Sequence, residues 1–557
     1  MYTIMDSITS ILYALKQHIQ KTFIFPTNIE KNISISLTTD AKKQNFGDIS
    51  TNAALLIAPH VKKQPREVAQ ELIETFAHPG IAKGEVAGPG FVNFTLTPTF
   101  YMQTAQEILT NPALIFEPKV NDPQTYCVEY VSANPTGPLH LGHGRGAIMG
   151  DVLSRVLKQT GNTVTREFYV NDAGSQINKL GNSFKIRCQQ ALGENVELPK
   201  DAYHGSYLSR LAQTILSEQK ANVEQAIATD NIAFFTTYAK DYLLNKIKHT
   251  LSSYGVEFDV WFSEKILHIQ GDIDQAIEQL AEANYTYTKD GAIWFKSTAF
   301  GDDKDRVLKR SNGELTYFAA DIAYIKNKKD RGFKQLVMFL GQDHHGYIGR
   351  LKAAAQAFGY KADDLDIVIY QLVTIQENGE ALKLSKRAGR IVSLEDIINT
   401  VGPDVARFFY LNRKGEAQLD FNLNLALKKT EENPVFYIQY AYVRAHSIFE
   451  KAQEHPSFTN FSSKDIHTLD EQERLILKNI LSLRSLLLDI SSNYQTHLIS
   501  YYTLELAHLF HSYYGSHKVL DENDITQTKH RLAFLSLMKQ TFEFCLNILG
   551  INILEKM

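Results

Sequence analysis

The sequence predicts an α/β fold in which a parallel sheet is covered by helices on both faces, with an α+β module before it and an all-helical region after it. Three observations carry this. From about residue 122, short apolar runs alternate with helical periods; before residue 110, alternating strands lie among helices; beyond about 405, only helical stripes remain. At 557 residues the chain is too long for one core, and an apolar fraction of 44% with 11% aromatics is that of a globular protein with ample material to bury. A net charge of −4 sets up no global basic field, so a nucleic-acid partner would be held by local patches. Cys127, Cys188 and Cys545 lie far apart with no CxxC pair, which argues against a disulfide framework and a cysteine-rich zinc site and fits a reducing compartment.

In the first module (residues 1–110), Ile4, Ile8, Ile11, Leu12, Leu15 and Ile19 recur at helical spacing with Asp6, Lys16 and His18 between them. That pattern reads as an amphipathic helix, not a signal peptide. Ile33, Ile35 and Leu37 then alternate with polar residues as a strand, Asn45 to Asn52 reads as a turn, and helices follow from Ala53 and from Pro65. Gly88-Pro89-Gly90 leads into a second alternating strand, Val92, Phe94, Leu96.

In the central region (residues 111–404), Tyr126–Val131, Val164–Val170, Leu336–Leu340 and Ile367–Val373 read as buried strands of a parallel sheet. A polar, mostly helical stretch at about 190–300 interrupts them as an insertion and ends in a hairpin near Asp290-Gly291. In the last region (405–557), Ile476, Ile480, Leu483, Leu487 and Ile490 form one stripe, and Leu535, Met538, Phe542, Cys545 and Leu549 form another, closed by Gly550; both read as bundle core. No stretch reaches the roughly eighteen uninterrupted apolar residues of a spanning helix, so the expectation is a soluble, cytoplasmic protein with no membrane partner.

Two constellations carry chemistry. In the first, an apolar strand runs into Ser132-Ala133-Asn134-Pro135-Thr136-Gly137-Pro138 and then His140 and His143, before a helical pattern starting near Ala147. A bare HxxH also suits a metal pair or two ordinary buried histidines. Here the helix N-terminus favours anions, and Gly142, Gly144 and Gly146 are expected to let the backbone approach a ligand. No third ligand sits at metal spacing, so phosphate is preferred and no metal site is expected. In the second, Lys383-Leu384-Ser385-Lys386-Arg387-Ala388-Gly389-Arg390 places four basic residues in eight positions, ahead of a helix begun by Ser393 with Asp396 as its capping box. Alone this is a solvated loop; beside the first element it becomes the cationic half of a triphosphate clamp.

These residues carry a resemblance. Pro135 to His143 resembles the "HIGH" signature of class I aminoacyl-tRNA synthetases, and Lys383 to Arg387 resembles their "KMSKS" loop, with Leu for Met and Arg for the last Ser. Phe46-Gly47-Asp48, Val86 to Phe94, Tyr169 to Gly174 and Asn433 to Ala441 are similar to stretches of the arginyl-tRNA synthetase family, so that the resemblance spans nearly the whole chain. It implies a Rossmann-type catalytic domain, an N-terminal module touching the tRNA elbow and a C-terminal anticodon-binding bundle. It implies ATP and Mg²⁺, L-arginine, a tRNA(Arg) partner and a monomer, with attack by the terminal 2′-hydroxyl and arginine activation that needs bound tRNA. ATP would meet Pro138, His140, Gly142 and His143, with Lys383, Ser385 and Lys386 on the β- and γ-phosphates; His140, His143, Lys383 and Lys386 would be catalytic.

An arginine side chain wants carboxylates in a fork and a flat aromatic. Glu129 precedes the signature, and Tyr317 and Asp321 share a face if a helix begins there. The resemblance puts arginine-binding roles on Glu129, Asn134, Tyr317, Asp321 and Gln342, with Ser132 and Asn134 reaching the α-amino or carboxylate groups. Gln342-Asp343-His344-His345-Gly346 at the sheet's carboxyl edge is a poor chelate and a candidate for amino-acid and adenosine contact. For tRNA, Tyr437, Tyr440, Arg444, Tyr442 and the tyrosines near 501 and 513 are candidates for base stacking. Two alternatives stay open: a class I synthetase for another amino acid, and a catalytically inactive tRNA-binding paralogue.

Overall fold

The computed structural model describes residues 7–40, 46–381 and 393–557. Strands β1 (Ile35–Leu37), β2 (Ile49–Thr51), β3 (Ile81–Ala87) and β4 (Phe91–Leu96) form an antiparallel sheet of order β1-β2-β4-β3. Helix Ser7–Thr22 buries Ile11, Leu15 and Ile19 in this module. Pro65 opens the Pro65–Thr75 helix, where its missing N–H is no loss. The stretch expected to be a turn contains β2, because Ile49 and Thr51 are buried between β1 and β4; Asn45 lies outside the described residues.

The central region holds β5 (Thr125–Glu129), β6 (Thr163–Val170), β7 (Val260–Ser263), the antiparallel set β8 (Thr286–Lys289), β9 (Ala292–Phe295) and β10 (Arg306–Lys309), then β11 (Gln335–Gly341) and β12 (Leu365–Tyr370). Five of these make a wholly parallel sheet of order β12-β11-β5-β6-β7. The chain steps from β5 outward to β7 and then returns to build β11 and β12 on the other side. The order therefore reverses beside β5, and in open α/β sheets the crevice at such a reversal is where ligands bind. The β8–β9 hairpin turns at Asp290-Gly291 as expected.

Three expectations change. β7 lies inside the stretch read as a helical insertion, its apolar run too short to stand out. The run Ile367–Val373 is two strands: the chain turns where Gln371 N donates to Gly415 O at 3.0 Å, and β13 (Val373–Glu377) pairs with β14 (Glu380–Ala381) and, in parallel, with β15 (Leu419–Asn422). The region beyond 405 is thus not purely helical until after β15.

The bundle comprises helices Pro434–Gln453, Glu471–Asn493, His497–Ser516 and Ile525–Leu549, and both sequence stripes are core. The last of these is long and apolar enough to cross a membrane, but 67% of its apolar window is buried in the protein. Gly550 ends it at φ +67°. Three joints hold the parts together. Buried Arg407 donates to Leu549 O (2.8 Å) and Tyr254 O (3.0 Å) and pairs with Asp151. Arg145 donates to the carbonyls of Gln371, Lys414 and Ala417. Lys478 of the bundle meets Asp48 of the first module at 2.9 Å.

Candidate active site

The signature stretch leaves the end of β5 through two consecutive left-handed residues, Val131 (φ +68°) and Ser132 (φ +40°). A β-branched residue at such φ is strained, and strain of this kind persists only where surrounding contacts enforce it. Here they do: Ser132 Oγ donates to Glu129 Oε1 (3.1 Å) and accepts from Tyr169 N (3.1 Å). Asn134 Nδ2 donates to Gln176 Oε1 at 2.9 Å.

His140 then caps the helix Leu141–Gln159, accepting on Nδ1 from Gly142 N (3.1 Å), while His143 Nδ1 accepts from His140 N (3.1 Å). With each Nδ1 taken by a backbone amide, each ring carries its proton on Nε2 and turns a donor away from the helix. The rings stack with centroids 3.6 Å apart. Burial, then the neighbouring His140, pushes the His143 pKa down to about 3; burial lowers that of His140 as well, opposed by Asp343. Both imidazoles are therefore neutral donors at neutral pH, set at a helix N-terminus.

The glycines behave differently from expectation. Only Gly142 is left beside the imidazole face. A Cβ on Gly144 would meet Leu394 at 2.7 Å and Tyr410 at 2.9 Å, and one on Gly146 would meet Tyr370 at 2.8 Å. Those two serve close packing of the helix, not approach to a ligand. Lys383, Ser385 and Lys386 lie outside the described residues. The described chain resumes at Ser393, which bridges His140 in antiparallel fashion, and Leu394 N donates to Leu139 O at 2.8 Å. The expected capping box is present: Asp396 N donates to Ser393 Oγ and Ser393 N to Asp396 Oδ2.

A helix does begin at Tyr317 (Tyr317–Asp330), capped by Thr316, whose Oγ1 accepts from Ala319 N at 3.3 Å. Tyr317 is 64% exposed at the mouth of the site, its hydroxyl 3.3 Å from Ser175 Oγ. One turn further, Asp321 is raised to about pH 7 by burial and by the charges of Glu264 and Glu129, with Arg350 opposing. Glu264, buried just beyond β7, bonds the Tyr169 hydroxyl and is itself raised by burial. Glu129 and Glu264 thus lie close enough to Asp321 to disfavour its charge, an acid cluster in which Lys328 already pairs with Glu129. Glu264 escaped the sequence reading; the signal was an apolar run, Val260-Trp261-Phe262, ending in an acid, hidden in a region read as helical.

Gln342 opens an exposed 3₁₀ turn (Gln342–Tyr347) after β11, beside the same sheet edge. His345 instead lines a cavity of about 460 Å³ shared with Met149, Lys414 and His497. Among the described residues, no group of three His, Cys, Asp or Glu could hold a metal ion. On the bundle, Tyr437, Tyr440 and Arg444 share one face, with the Arg444 guanidinium 4.2 Å above the Tyr440 ring and 4.9 Å from that of Tyr514. His508 and His511 complete this platform against Tyr437. Tyr442, Tyr502 and Tyr513 do not belong to it: they are buried, and their hydroxyls donate to Glu543, the Asn479 carbonyl and Glu473.

A Rossmann-type sheet with a capped HxxH at its point of reversal, backed by a helical bundle, defines a class I aminoacyl-tRNA synthetase. Family profiles agree. The arginyl tRNA synthetase N terminal domain matches residues 9–96, the catalytic domain of tRNA synthetases class I (R) matches 104–407, and the DALR anticodon binding domain matches 438–557. The arginine–tRNA ligase of Geobacillus thermodenitrificans is 41% identical over 520 residues, 93% of each chain; that of Lawsonia intracellularis is 41% identical over 91% of this chain and 92% of its own. The Thermus thermophilus arginyl-tRNA synthetase structure shares the fold, with a TM-score of 0.73 at 20% identity over 98% of this chain and 99% of that one. The chain belongs to the arginyl-tRNA synthetases.

Proposed function

We propose how this chain's residues divide the work of an arginine–tRNA ligase. In the reaction, the arginine carboxylate attacks the α-phosphorus of ATP and pyrophosphate leaves. The terminal ribose hydroxyl of tRNA(Arg) then attacks the acyl carbon of arginyl-adenylate, and AMP leaves. No protein nucleophile is needed, because positioning and charge stabilisation suffice. Glu129, Ser132, Asn134, Tyr317, Asp321 and Gln342 hold arginine, joined by Glu264. Pro138, Gly142 and the Nε2–H donors of His140 and His143 hold ATP. Lys383, Ser385 and Lys386 take the β- and γ-phosphates, a placement supported by Ser393 at the end of that segment lying against His140.

Bound with the nucleotide, Mg²⁺ would supply charge neutralisation at the phosphates, beside the donors of His140 and His143. Tyr437, Tyr440 and Arg444 offer stacking faces to unpaired anticodon bases, and the first module meets the tRNA elbow. We assign these roles to units 1–110, 111–404 and 405–557 of a cytoplasmic monomer, with arginine activation that needs tRNA.

One observation carries the arginine reading: Glu129, Glu264 and Asp321 converge at the β5 end beside the HxxH cap. Charging of tRNA with each labelled amino acid in turn tests it, and arginine alone is expected to be transferred; transfer of another amino acid overturns it. His143→Ala is expected to slow adenylate formation by about 10²–10³-fold with folding intact, the loss of one aimed donor. Near-parental rates would remove the phosphate role.

A further inference from the structure

The helix Tyr317–Asp330 presents a polar stripe where amphipathic helices usually present an apolar one. Tyr317, Asp321, Tyr324, Lys328 and the capping residue Arg331 follow at intervals of four, three, four and three, and so lie on one face. The first two open onto the arginine pocket. The last three point at the sheet beneath it. Lys328, 1% exposed, places Nζ 2.5 Å from Glu129 Oε2, 3.9 Å from Glu167 Oε1 and 4.1 Å from the centre of the Tyr324 ring. Tyr324 donates its hydroxyl to Glu167, and Arg331 pairs with the other Glu167 oxygen.

Glu129 is thereby held from two sides. Lys328 takes Oε2, and Ser132, from the strained turn, takes Oε1. Burial alone would lower the Lys328 pKa, but the surrounding acids, Glu129 foremost, more than offset it, and the lysine keeps its proton. The pair is costly to bury, and a well-packed apolar pair would serve stability as well. What an apolar pair could not do is aim a carboxylate. Asp321 and Lys328 are seven residues apart, about 10 Å along a rigid helix.

We propose that Lys328 is a positioning residue for arginine recognition: it fixes the Glu129 carboxylate, so that this one helix sets the spacing between Glu129 and Asp321. The proposal rests on the reading that Glu129 faces arginine.

Three variants separate the two. Lys328→Met is expected to raise the arginine KM at least about tenfold and to leave the ATP KM within about twofold, because only arginine binding uses Glu129. Lys328→Arg, which keeps a cation, is expected to recover part of that loss. Glu129→Gln tests the underlying reading: an unchanged arginine KM overturns the reading itself. If Glu129→Gln raises the arginine KM while Lys328→Met leaves it unchanged, or raises both KM values alike, the positioning role alone is overturned. Should Lys328→Met not fold, Lys328→Met with Glu167→Gln removes a buried acid together with the cation, and the same KM comparison decides.

Discussion

At the residue scale, the site is a contrast between groups kept neutral and groups waiting for charge. The two imidazoles are neutral donors because backbone amides occupy Nδ1 and burial disfavours the cation. Asp321 is different. Its unfolded carboxyl titrates near 3.8 and its folded one at about 7, so the native state binds the extra proton between those values. Stability contributed by that proton falls as pH rises through this window. Asp321→Asn cannot titrate, and is expected to become progressively more stable than the parent from about pH 4 to pH 7, read from urea unfolding at several pH values. A guanidinium has the opposite need, because it pairs with the carboxylate. Arginine binding is therefore expected to weaken as pH falls through 7, to about a tenth at pH 6 of its strength at high pH, with a proton released on binding that calorimetry in two buffers detects. The same substitution is expected to raise the arginine KM by at least about thirtyfold and the ATP KM little; equal shifts would remove Asp321 from the guanidinium. Residue types made His140, His143 and Asp321 candidates, and only their motif context and the family resemblance gave them roles. Glu264 and Lys328 were not legible, since an acid or a lysine in a sequence is most often on the surface.

At the element scale, two helices organise the site from opposite sides of β5. Leu141–Gln159 carries the histidines at its N-terminus and is packed close by its glycines. A Cβ on Gly150 would sit 2.2 Å from the ring of Tyr130, which is fully buried and backed by Phe258 at 4.5 Å. Alanine gains about 1 kcal/mol of helix propensity over glycine, whereas overpacking a confined ring costs about 1–3 kcal/mol. The second effect wins at this distance. Gly150→Ala is expected to lower the thermal midpoint, and to raise the arginine KM because Tyr130 leads directly into Val131 and Ser132; an unchanged midpoint would show that the ring has room to move. The helix periods, the capping box at Ser393 and the hairpin at Asp290-Gly291 were readable because they are local patterns. β7, β13 and β15 were missed because runs of four or five residues acquire their identity from the strands they pair with.

At the scale of the molecule, the first module is latched to the bundle through a buried charge. Asp48 Oδ1 meets Lys478 Nζ at 2.9 Å while Asp48 Oδ2 accepts from Leu96 N at 2.8 Å, so the Phe46-Gly47-Asp48 stretch joins a strand end to the Glu471–Asn493 helix. Helix Pro98–Thr110 adds Gln106 donating to Ile466 O at 2.8 Å. Removing the carboxylate charge weakens the pairing of a buried ammonium. Asp48→Asn is expected to make the junction more sensitive to limited proteolysis and to lower kcat/KM for tRNA, while the KM values for ATP and arginine hold; parental tRNA kinetics with a loosened junction would show that the first module does not orient tRNA. By itself the sequence determined the order of the three parts, written in local periodicity, and through motif resemblance it offered a candidate phosphate-facing signature and a candidate acid pair. Only the tertiary structure decided that the pocket has a third acid, that Gly144 and Gly146 pack helices, that Tyr442 and Tyr513 are core, and that Lys328 stands behind Glu129. Those facts depend on which distant residues share a dry interior, and burial is a property of the assembled fold.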